Sequence, residues 1–307
     1  MGHKERAKLL SDTDCESIIR KLFGEKISIK DISSKKDMRN KIYVVGKFEY
    51  IFKAFGDQRR WKREIAGLLM IRSSQFFSPK LIDFGMCNTG IGWCLMTYVS
   101  GVFAEDRYQN KFNSLLWKDM GQLLAELHMS TKMTREECKF LVAGAEGYMK
   151  KNYKDYQHNK EKIVKNLYWG HKEIFENVFS IIEQWFSKKG STEPTYLSLC
   201  HNDYSLRNVL YNEKHGKYVL IDFEQSEFAE VEKDFSRVLI ELIPHHLEDK
   251  FIKGYAEFGM TYDMEKVKIY LFLKIIEICS WSFEREREYF EDAFSVLASQ
   301  LKLFVRK

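Results

Sequence analysis

The segment His201-Asn202-Asp203-Tyr204-Ser205-Leu206-Arg207-Asn208 sets an aspartate five residues before an asparagine. Fourteen residues further on, Asp222-Phe223-Glu224 ends the apolar run Tyr218-Val219-Leu220-Ile221. Transfer of a phosphoryl group asks little covalent chemistry of a protein. It asks for a carboxylate that orients and deprotonates the attacking hydroxyl, and for oxygen ligands that hold a magnesium ion on the phosphates. Mg²⁺ takes hard oxygen donors, one or two of them from protein. Asp203 suits the first task, and Asn208 and Asp222 suit the second. Asp and Asn are common loop residues, so a single match carries little weight and the ordered pair of motifs carries more. Glu224 is left between two readings, a further metal or substrate contact and a solvated charge.

A second constellation lies upstream. Tyr50-Ile51-Phe52-Lys53-Ala54-Phe55 reads as a strand with one lysine, and Glu64 follows eleven residues later on a helical period. A strand lysine that holds nucleotide phosphates, oriented by a helix glutamate, is a recurring part of phosphoryl-transfer sites. An exposed strand lysine and a solvated helix glutamate are the bland alternatives, which the correct order of all the parts outweighs. His201 is expected to hold its loop by hydrogen bonds rather than to act as a base. His128 reads as a packing histidine, and His245-His246 as surface residues.

These residues need elements to position them. Thr13-Asp14-Cys15-Glu16 reads as a capping box, with Ile18, Ile19, Leu22 and Phe23 at helical spacing behind it. Strand-like runs follow at Lys26–Ile32, Lys41–Val45 and Phe48–Phe55, the last two joined at Gly46-Lys47. Arg59–Arg72 carries Ile65, Leu68 and Leu69 on a helical period. Lys80–Phe84 and Trp93–Val99 complete a five-stranded, largely antiparallel sheet with one internal helix. After Ser100-Gly101 helical periodicity dominates, at Phe112–His128, Arg135–Lys151, Lys160–Lys188, Lys250–Phe258 and Met264–Val305. Between them lies one β-type block, Tyr196–Phe223, in which Val209-Leu210-Tyr211 and Tyr218–Ile221 form a hairpin presenting Asp222. The expected organisation is α+β, with an N-terminal nucleotide-binding lobe at 1–100 and a mostly helical C-terminal lobe at 101–307 carrying the catalytic loop and acceptor site.

With these parts in place, the sequence resembles the aminoglycoside phosphotransferase and choline kinase superfamily, over about residues 15 to 300, and most closely in type the antibiotic phosphotransferases. The resemblance implies a bilobal protein-kinase-like fold and a nucleotide cofactor, ATP or GTP, with Mg²⁺. Arg39-Asn40-Lys41-Ile42-Tyr43-Val44 resembles the family's nucleotide loop, which would place Asn40 at the nucleotide. Leu95-Met96-Thr97-Tyr98-Val99-Ser100-Gly101 resembles the hinge, where backbone groups of Thr97 and Val99 would bond the purine and Met96 would line its pocket. Leu123–His128 resembles the helix after the hinge. Val231-Glu232-Lys233-Asp234 resembles the segment whose aspartate braces the catalytic loop. The chain departs from protein kinases in having no G-x-G-x-x-G in its first lobe, no arginine in the catalytic triplet, Asp222-Phe223-Glu224 in place of DFG, and no A-P-E motif. These departures favour a small-molecule acceptor.

The acceptor is less legible. Residues 284–292 hold five acidic residues and two arginines, in a chain whose net charge is +5. Carboxylates beside aromatics suit a cationic, amino-containing acceptor, and Glu284, Glu288 and Trp281 are the candidates. The bland reading is a salt-bridged helix face, with Glu284–Glu288 and Arg287–Glu291 as neighbours at i, i+4. The expected activity is transfer of a γ-phosphate to a hydroxyl of an aminoglycoside or related antibiotic. A metabolic kinase of choline, ethanolamine, a sugar or an amino alcohol is the alternative, and a catalytically silent binding protein the third.

Composition bounds the rest. The chain has 307 residues, with 49 Lys and Arg against 44 Asp and Glu. That small excess suits anionic ligands without implying nucleic-acid binding. Six scattered cysteines without a C-x-x-C pair read as reduced, buried thiols of a cytoplasmic protein. The N-terminus lacks the apolar stretch of a signal peptide, and Tyr270–Cys279 is too short to span a bilayer. A monomer or weak homodimer is expected.

Overall fold

The computed structural model describes residues 9–33, 39–74, 76–107, 112–138, 148–166, 168–189 and 193–305. In chain order its elements begin with α1 (Asp12–Phe23), β1 (Ile29–Asp31), β2 (Asn40–Val45), β3 (Tyr50–Phe55), α2 (Gln58–Arg72), β4 (Leu81–Met86), β5 (Gly92–Thr97), β6 (Val102–Phe103) and α3 (Ala104–Arg107). Next come α4 (Ser114–Ser130), β7 (Met133–Thr134), α5 (Arg135–Cys138), α6 (Tyr148–Asn166), α7 (Tyr168–Lys189), β8 (Tyr196–Cys200), β9 (Val209–Asn212), β10 (Lys217–Leu220) and β11 (Glu227–Ala229). The chain ends in α8 (Glu232–Leu242), α9 (Glu248–Glu257), α10 (Met264–Ser282) and α11 (Arg287–Val305). It forms two compact units, one of Met1–Lys111 with Leu206–Glu227, the other of Phe112–Ser205 with Phe228–Lys307. The catalytic-type loop is thus split between them, with Asp203 in the second unit and Asn208 in the first.

The first unit is built on the antiparallel sheet β1-β2-β3-β5-β4. Strands β2 and β3 pair Ile42 with Lys53 and Tyr43 with Phe52, and β5 sets Cys94 against Lys53. Alternation sends Phe52 and Ala54 into an apolar layer with Tyr43, Val45, Leu95 and the α1 residues Cys15 and Ile19. Removing each large side chain here from water contributes about 1.5–3 kcal/mol. The first helix starts two residues earlier than its sequence suggests. Ser11 is the N-cap, and Ser11 with Asp14 forms the capping box, where Thr13 and Glu16 had been expected. Ser11 has the extended backbone that a cap requires. The same unit carries the small sheet β10-β9-β6, in which β9 and β10 form the expected hairpin, Val209 opposite Leu220.

The second unit is mostly helical, with the small sheet β11-β8-β7. Helices α4 and α9 approach closely enough that two glycines are required. A Cβ on Gly121 would lie 2.1 Å from the Phe251 carbonyl oxygen, and one on Gly254 would lie 2.0 Å from that of Lys118. This backbone-to-backbone approach aligns the end of α4 with the end of α9.

Several helices differ from expectation. Lys160–Lys188 is two helices, and Met264–Val305 breaks at 283–286, where Arg285 and Glu286 donate back to the Ser282 carbonyl. No glycine or proline marks that break. The segment 139–147, inside the helix expected over 135–151, lies outside the described residues. Among the described residues no helix is long and apolar enough to cross a membrane.

Candidate active site

Five of the singled-out residues meet in the first unit. Lys53, on the sheet, is almost fully buried. Its Nζ donates to Glu64 Oε2 at 3.0 Å and to Asp222 Oδ1 at 2.6 Å, and lies 3.1 Å from Glu224 Oε2. Glu64 arrives from α2. That helix begins at an N-cap, Asp57, whose side chain accepts from the Arg59 and Arg60 amides. Asp222 sits just past β10, in the left-handed backbone region at φ 67°. Aspartate tolerates this region better than most side chains. The Ile221 amide donates to the Asn208 carbonyl at 2.9 Å, so the hairpin ladder ties the two metal-ligand candidates together. Gly67 on α2 makes room for the turn after Asp222, since a Cβ there would lie 2.8 Å from Ser226 Oγ and 3.1 Å from Phe223 Cβ.

Glu224 is buried, so its carboxylate is not solvated. Oε2 accepts from Asn40 Nδ2 at 2.5 Å, and Oε1 accepts from the Arg60 guanidinium. Arg60 had no counterpart in the sequence reading. It lies one helical turn before Glu64, a spacing that would have flagged it once Glu224 was known to face α2. Asn40 Oδ1 is buried with no hydrogen-bond partner among the described residues.

The electrostatics follow from three carboxylates around one ammonium. Burial alone would lower the Lys53 pKa, but Glu64, Asp222 and Glu224 together hold it well above the ordinary lysine value. Burial pushes the Glu64 carboxyl up to about 7, and the nearby Asp222 and Glu224 add to the rise against the pull of Lys53. The carboxylate oxygens of Glu64, Asp222 and Glu224 lie within 4.8 Å of one another. Their accessibility separates them. The Asp222 side chain is 36% exposed, against 1% for Glu64 and 8% for Glu224. Asp222 can reach a metal ion on a ligand, while the other two are committed to Lys53, Arg60 and Asn40. A carboxylate and an amide oxygen, Asp222 and Asn208, are the hard donors that Mg²⁺ prefers.

The hinge candidates border the same sheet. Met96 is buried on β5. The Thr97 amide donates to the Lys80 carbonyl at 2.9 Å, so that amide is already engaged within the protein. The Tyr98 amide donates to the Glu49 carbonyl, also at 2.9 Å. Val99 follows the strand and is half-buried.

Asp203 lies in the second unit, just after Asn202, a second left-handed residue at φ 61°. The His201 amide donates to Asp234 Oδ2 at 2.6 Å and the Asn202 amide to Oδ1 at 2.5 Å. Asp234 therefore fixes the backbone leading into Asp203. Arg237, one turn along α8, places Nε 3.9 Å from Asp203 Oδ1. Its guanidinium lies 5.7 Å from the Tyr289 ring, which is 5.8 Å from the Trp281 ring. Neither Arg237 nor α8 itself figured among the expected elements. Phe235, Val238, Leu239 and Leu242 at helical spacing were the available signal.

The salt-bridged helix face expected over 284–291 forms only in part. Glu284 lies in the turn between α10 and α11 and Glu288 in the first turn of α11, both exposed, so they are not i, i+4 partners on one helix. Arg287 and Glu291 do pair on α11, at 2.6 Å. His128, expected only to pack, is fully buried and bonded on both ring nitrogens, to Tyr255 and to Asp234. His245 and His246 are exposed.

Comparison with known proteins bears on the fold. Solved structures of similar fold include the aminoglycoside phosphotransferase APH(4)-Ia in a thermostable, apo form, at 11% identity and TM-score 0.65, covering 93% of this chain and 99% of that one. They also include the GDP complex of wild-type aminoglycoside 2'-phosphotransferase-IIIa, at 14% identity and TM-score 0.67, with 95% and 99% covered. A third is spectinomycin phosphotransferase APH(9)-Ia with ADP and its antibiotic, at 15% identity and TM-score 0.62, with 91% and 93% covered. At these identities the likeness is one of fold. No curated protein sequence matches the chain. The profile of the phosphotransferase enzyme family, APH, matches residues 30–270. Sequence and architecture agree, and the chain belongs to the phosphotransferase enzyme family.

Proposed function

We propose that the protein is a small-molecule kinase that transfers the γ-phosphoryl group of ATP or GTP to a hydroxyl of an amino-containing acceptor, an aminoglycoside or related antibiotic. The observation that carries this reading is the buried ammonium of Lys53, bonded to both Glu64 and Asp222. A charged lysine beside a half-exposed aspartate suits a triphosphate and its counter-ion. Asn40, with a buried carbonyl oxygen and no protein donor among the described residues, supports a ligand or water at the start of β2. Thr97 and Val99 would bond the purine, with Met96 behind it. Asp203 would orient the acceptor hydroxyl and take its proton. Asn208 and Asp222 would hold Mg²⁺, which when bound neutralises charge on the transferring phosphate. Neighbours of this fold are complexes with GDP and ADP, and two hold kanamycin or spectinomycin. All six cysteines are thiols rather than disulfides, which supports a cytoplasmic setting.

A second reading draws on Arg237. A guanidinium beside Asp203 disfavours an ammonium next to the reacting hydroxyl. It favours a metabolic kinase of a sugar or other neutral polyol.

The test is phosphoryl transfer by purified protein from ATP or GTP to panels of aminoglycosides, other amino-containing antibiotics, choline and sugars, read as mass shift of the acceptor. Asp203→Ala is expected to lose roughly 10³-fold or more in kcat while nucleotide affinity stays nearly unchanged. Wild-type transfer rates in that variant would remove Asp203 as the base.

A further inference from the structure

A cleft of about 210 Å³ opens on the second unit, along β8 and beside the starts of α8 and α10. Its lining includes none of the residues given a role in phosphoryl transfer. Four charged side chains border it, Lys132, Glu230, Glu232 and Lys266. Two of them cancel. Lys266 Nζ donates to Glu230 Oε1, and Glu230 Oε2 accepts from the Tyr270 hydroxyl at 2.5 Å, so both oxygens of that carboxylate are occupied. Glu232 and Lys132 remain. They do not pair with each other, and neither has a salt-bridge partner among the described residues. Glu232 is 7% exposed, and its Oε1 accepts the Asp263 amide at 2.8 Å. Burial pushes its carboxyl above the ordinary value, against the pull of that amide. A buried carboxylate without a counter-charge is costly. Lys132 is exposed, with Nζ 4.6 Å from the centre of the Tyr196 ring. The cleft thus has a negative floor and a positive rim, with Pro194, Tyr196 and Met260 supplying apolar surface to its lining.

We propose that this cleft binds a small zwitterion with an ammonium and a carboxylate at opposite ends of a short apolar chain, an ω-amino acid in chemical class. The ammonium goes to Glu232 and supplies the counter-charge that the protein does not. The ligand's carboxylate meets Lys132 at the rim, and its methylenes lie along Tyr196 and Met260. A simple amine leaves Lys132 unmatched, and a simple carboxylate faces the like charge of Glu232, so each satisfies one end only. Pockets for drug-sized ligands run to about 300–1,000 Å³, and a cleft of about 210 Å³ suits a smaller molecule. The site is separate from the one that would take nucleotide and acceptor, and the inference does not depend on the kinase reading.

The experiment titrates 5-aminopentanoate, n-pentylammonium and pentanoate into the nucleotide-free protein by isothermal calorimetry at fixed ionic strength. 5-Aminopentanoate is expected to bind at least roughly tenfold more tightly than either singly charged probe. Glu232→Gln keeps an oxygen for the Asp263 amide but removes the charge, and is expected to weaken 5-aminopentanoate by roughly tenfold or more. Thr261→Trp puts a bulky ring into the cleft from an exposed position, and is expected to abolish binding at an unchanged melting temperature. Asp203→Asn, outside the cleft, should bind 5-aminopentanoate as the wild type does. No binding of that probe to the wild type at about 10 mM overturns the proposal. So does equal affinity for n-pentylammonium, or unchanged affinity in folded Glu232→Gln. Binding that survives Thr261→Trp and is lost in Asp203→Asn would place the ligand at the acceptor site and also overturn it. If Glu232→Gln does not fold, Thr261→Trp decides, with retained binding counting against the cleft.

Discussion

Lys53 and Asp222 are bonded directly at 2.6 Å, although one lies on a buried strand and the other just past the second hairpin. The aspartate that would hold a metal on the nucleotide is thus already oriented by the lysine that would hold its phosphates. Removing the lysine leaves Glu64 and Glu224 buried beside Asp222 without their shared ammonium. Lys53→Ala is expected to destabilise the first unit by about 3–5 kcal/mol, as breaking a buried ion pair from one side does. The check is the urea midpoint at unchanged m value. A loss below about 1 kcal/mol would show that the carboxylates are neutralised in another way.

Glu64 gives a pH dependence with a definite sign. Its carboxyl titrates near 4.5 when unfolded and at about 7 in the folded protein. The folded state therefore binds more protons between these values, and stability from this group is fully present below about 4.5 and lost as pH rises through about 7. Wild-type stability should fall by on the order of 1–3 kcal/mol more than that of Glu64→Gln between pH ~5 and pH ~8. Parallel urea titrations of the nucleotide-free proteins measure this, and equal slopes would contradict it.

The contact of α4 with α9 predicts intolerance of any side chain at Gly121 or Gly254. Gly121→Ala must push the Phe251 carbonyl away from a Cβ that would lie 2.1 Å from it. Overpacking of this kind costs about 1–3 kcal/mol and sometimes more. The fall in melting temperature reads that cost.

Arg237 predicts acceptor choice. Its charge stands 3.9 Å from Asp203 in a partly screened setting. Removing it should favour acceptors with an ammonium next to the reacting hydroxyl by roughly 1 kcal/mol, about fivefold in kcat/KM. It should handicap neutral acceptors at the same time. Arg237→Ala assayed on an amino-sugar and its deaminated counterpart reads this ratio, and an unmoved ratio would count against a role in acceptor choice.

The sheet was readable because it is built from alternation and turns. Phe52 and Ala54 face the α1 layer while Lys53 points to the other side, and that period of two is present in the residues themselves. Lys53, Glu64 and Asp222 could be singled out together because phosphoryl transfer asks for particular oxygen and nitrogen donors in a particular order, and the structure brings those three side chains into contact. What was missed depends on side chains converging from distant positions. The pairing of Arg60 with Glu224 joins a helix to a turn 164 positions away, and nothing local at either end announces it. His128 looked like a packing residue because an apolar helix surrounds it, and its partners come from two other helices. The break at 283–286 was illegible because it relies on amides returning to Ser282 and not on a glycine or proline.

The first unit is completed by a stretch of chain made late. Lys53 and Asp222 are separated by 169 positions, and Leu206–Glu227 joins the unit only after all of Phe112–Ser205 has been synthesised. At ordinary translation rates of about 5–20 residues per second, that is a wait of roughly five to twenty seconds. Through that interval the nascent sheet holds a buried-type lysine with only Glu64 to answer it, and the β9–β10 hairpin does not yet exist. The protein is therefore expected to complete its first unit only after most of the chain has been made. A premature stop anywhere before residue 222 would release a chain whose N-terminal half invites chaperones and proteases.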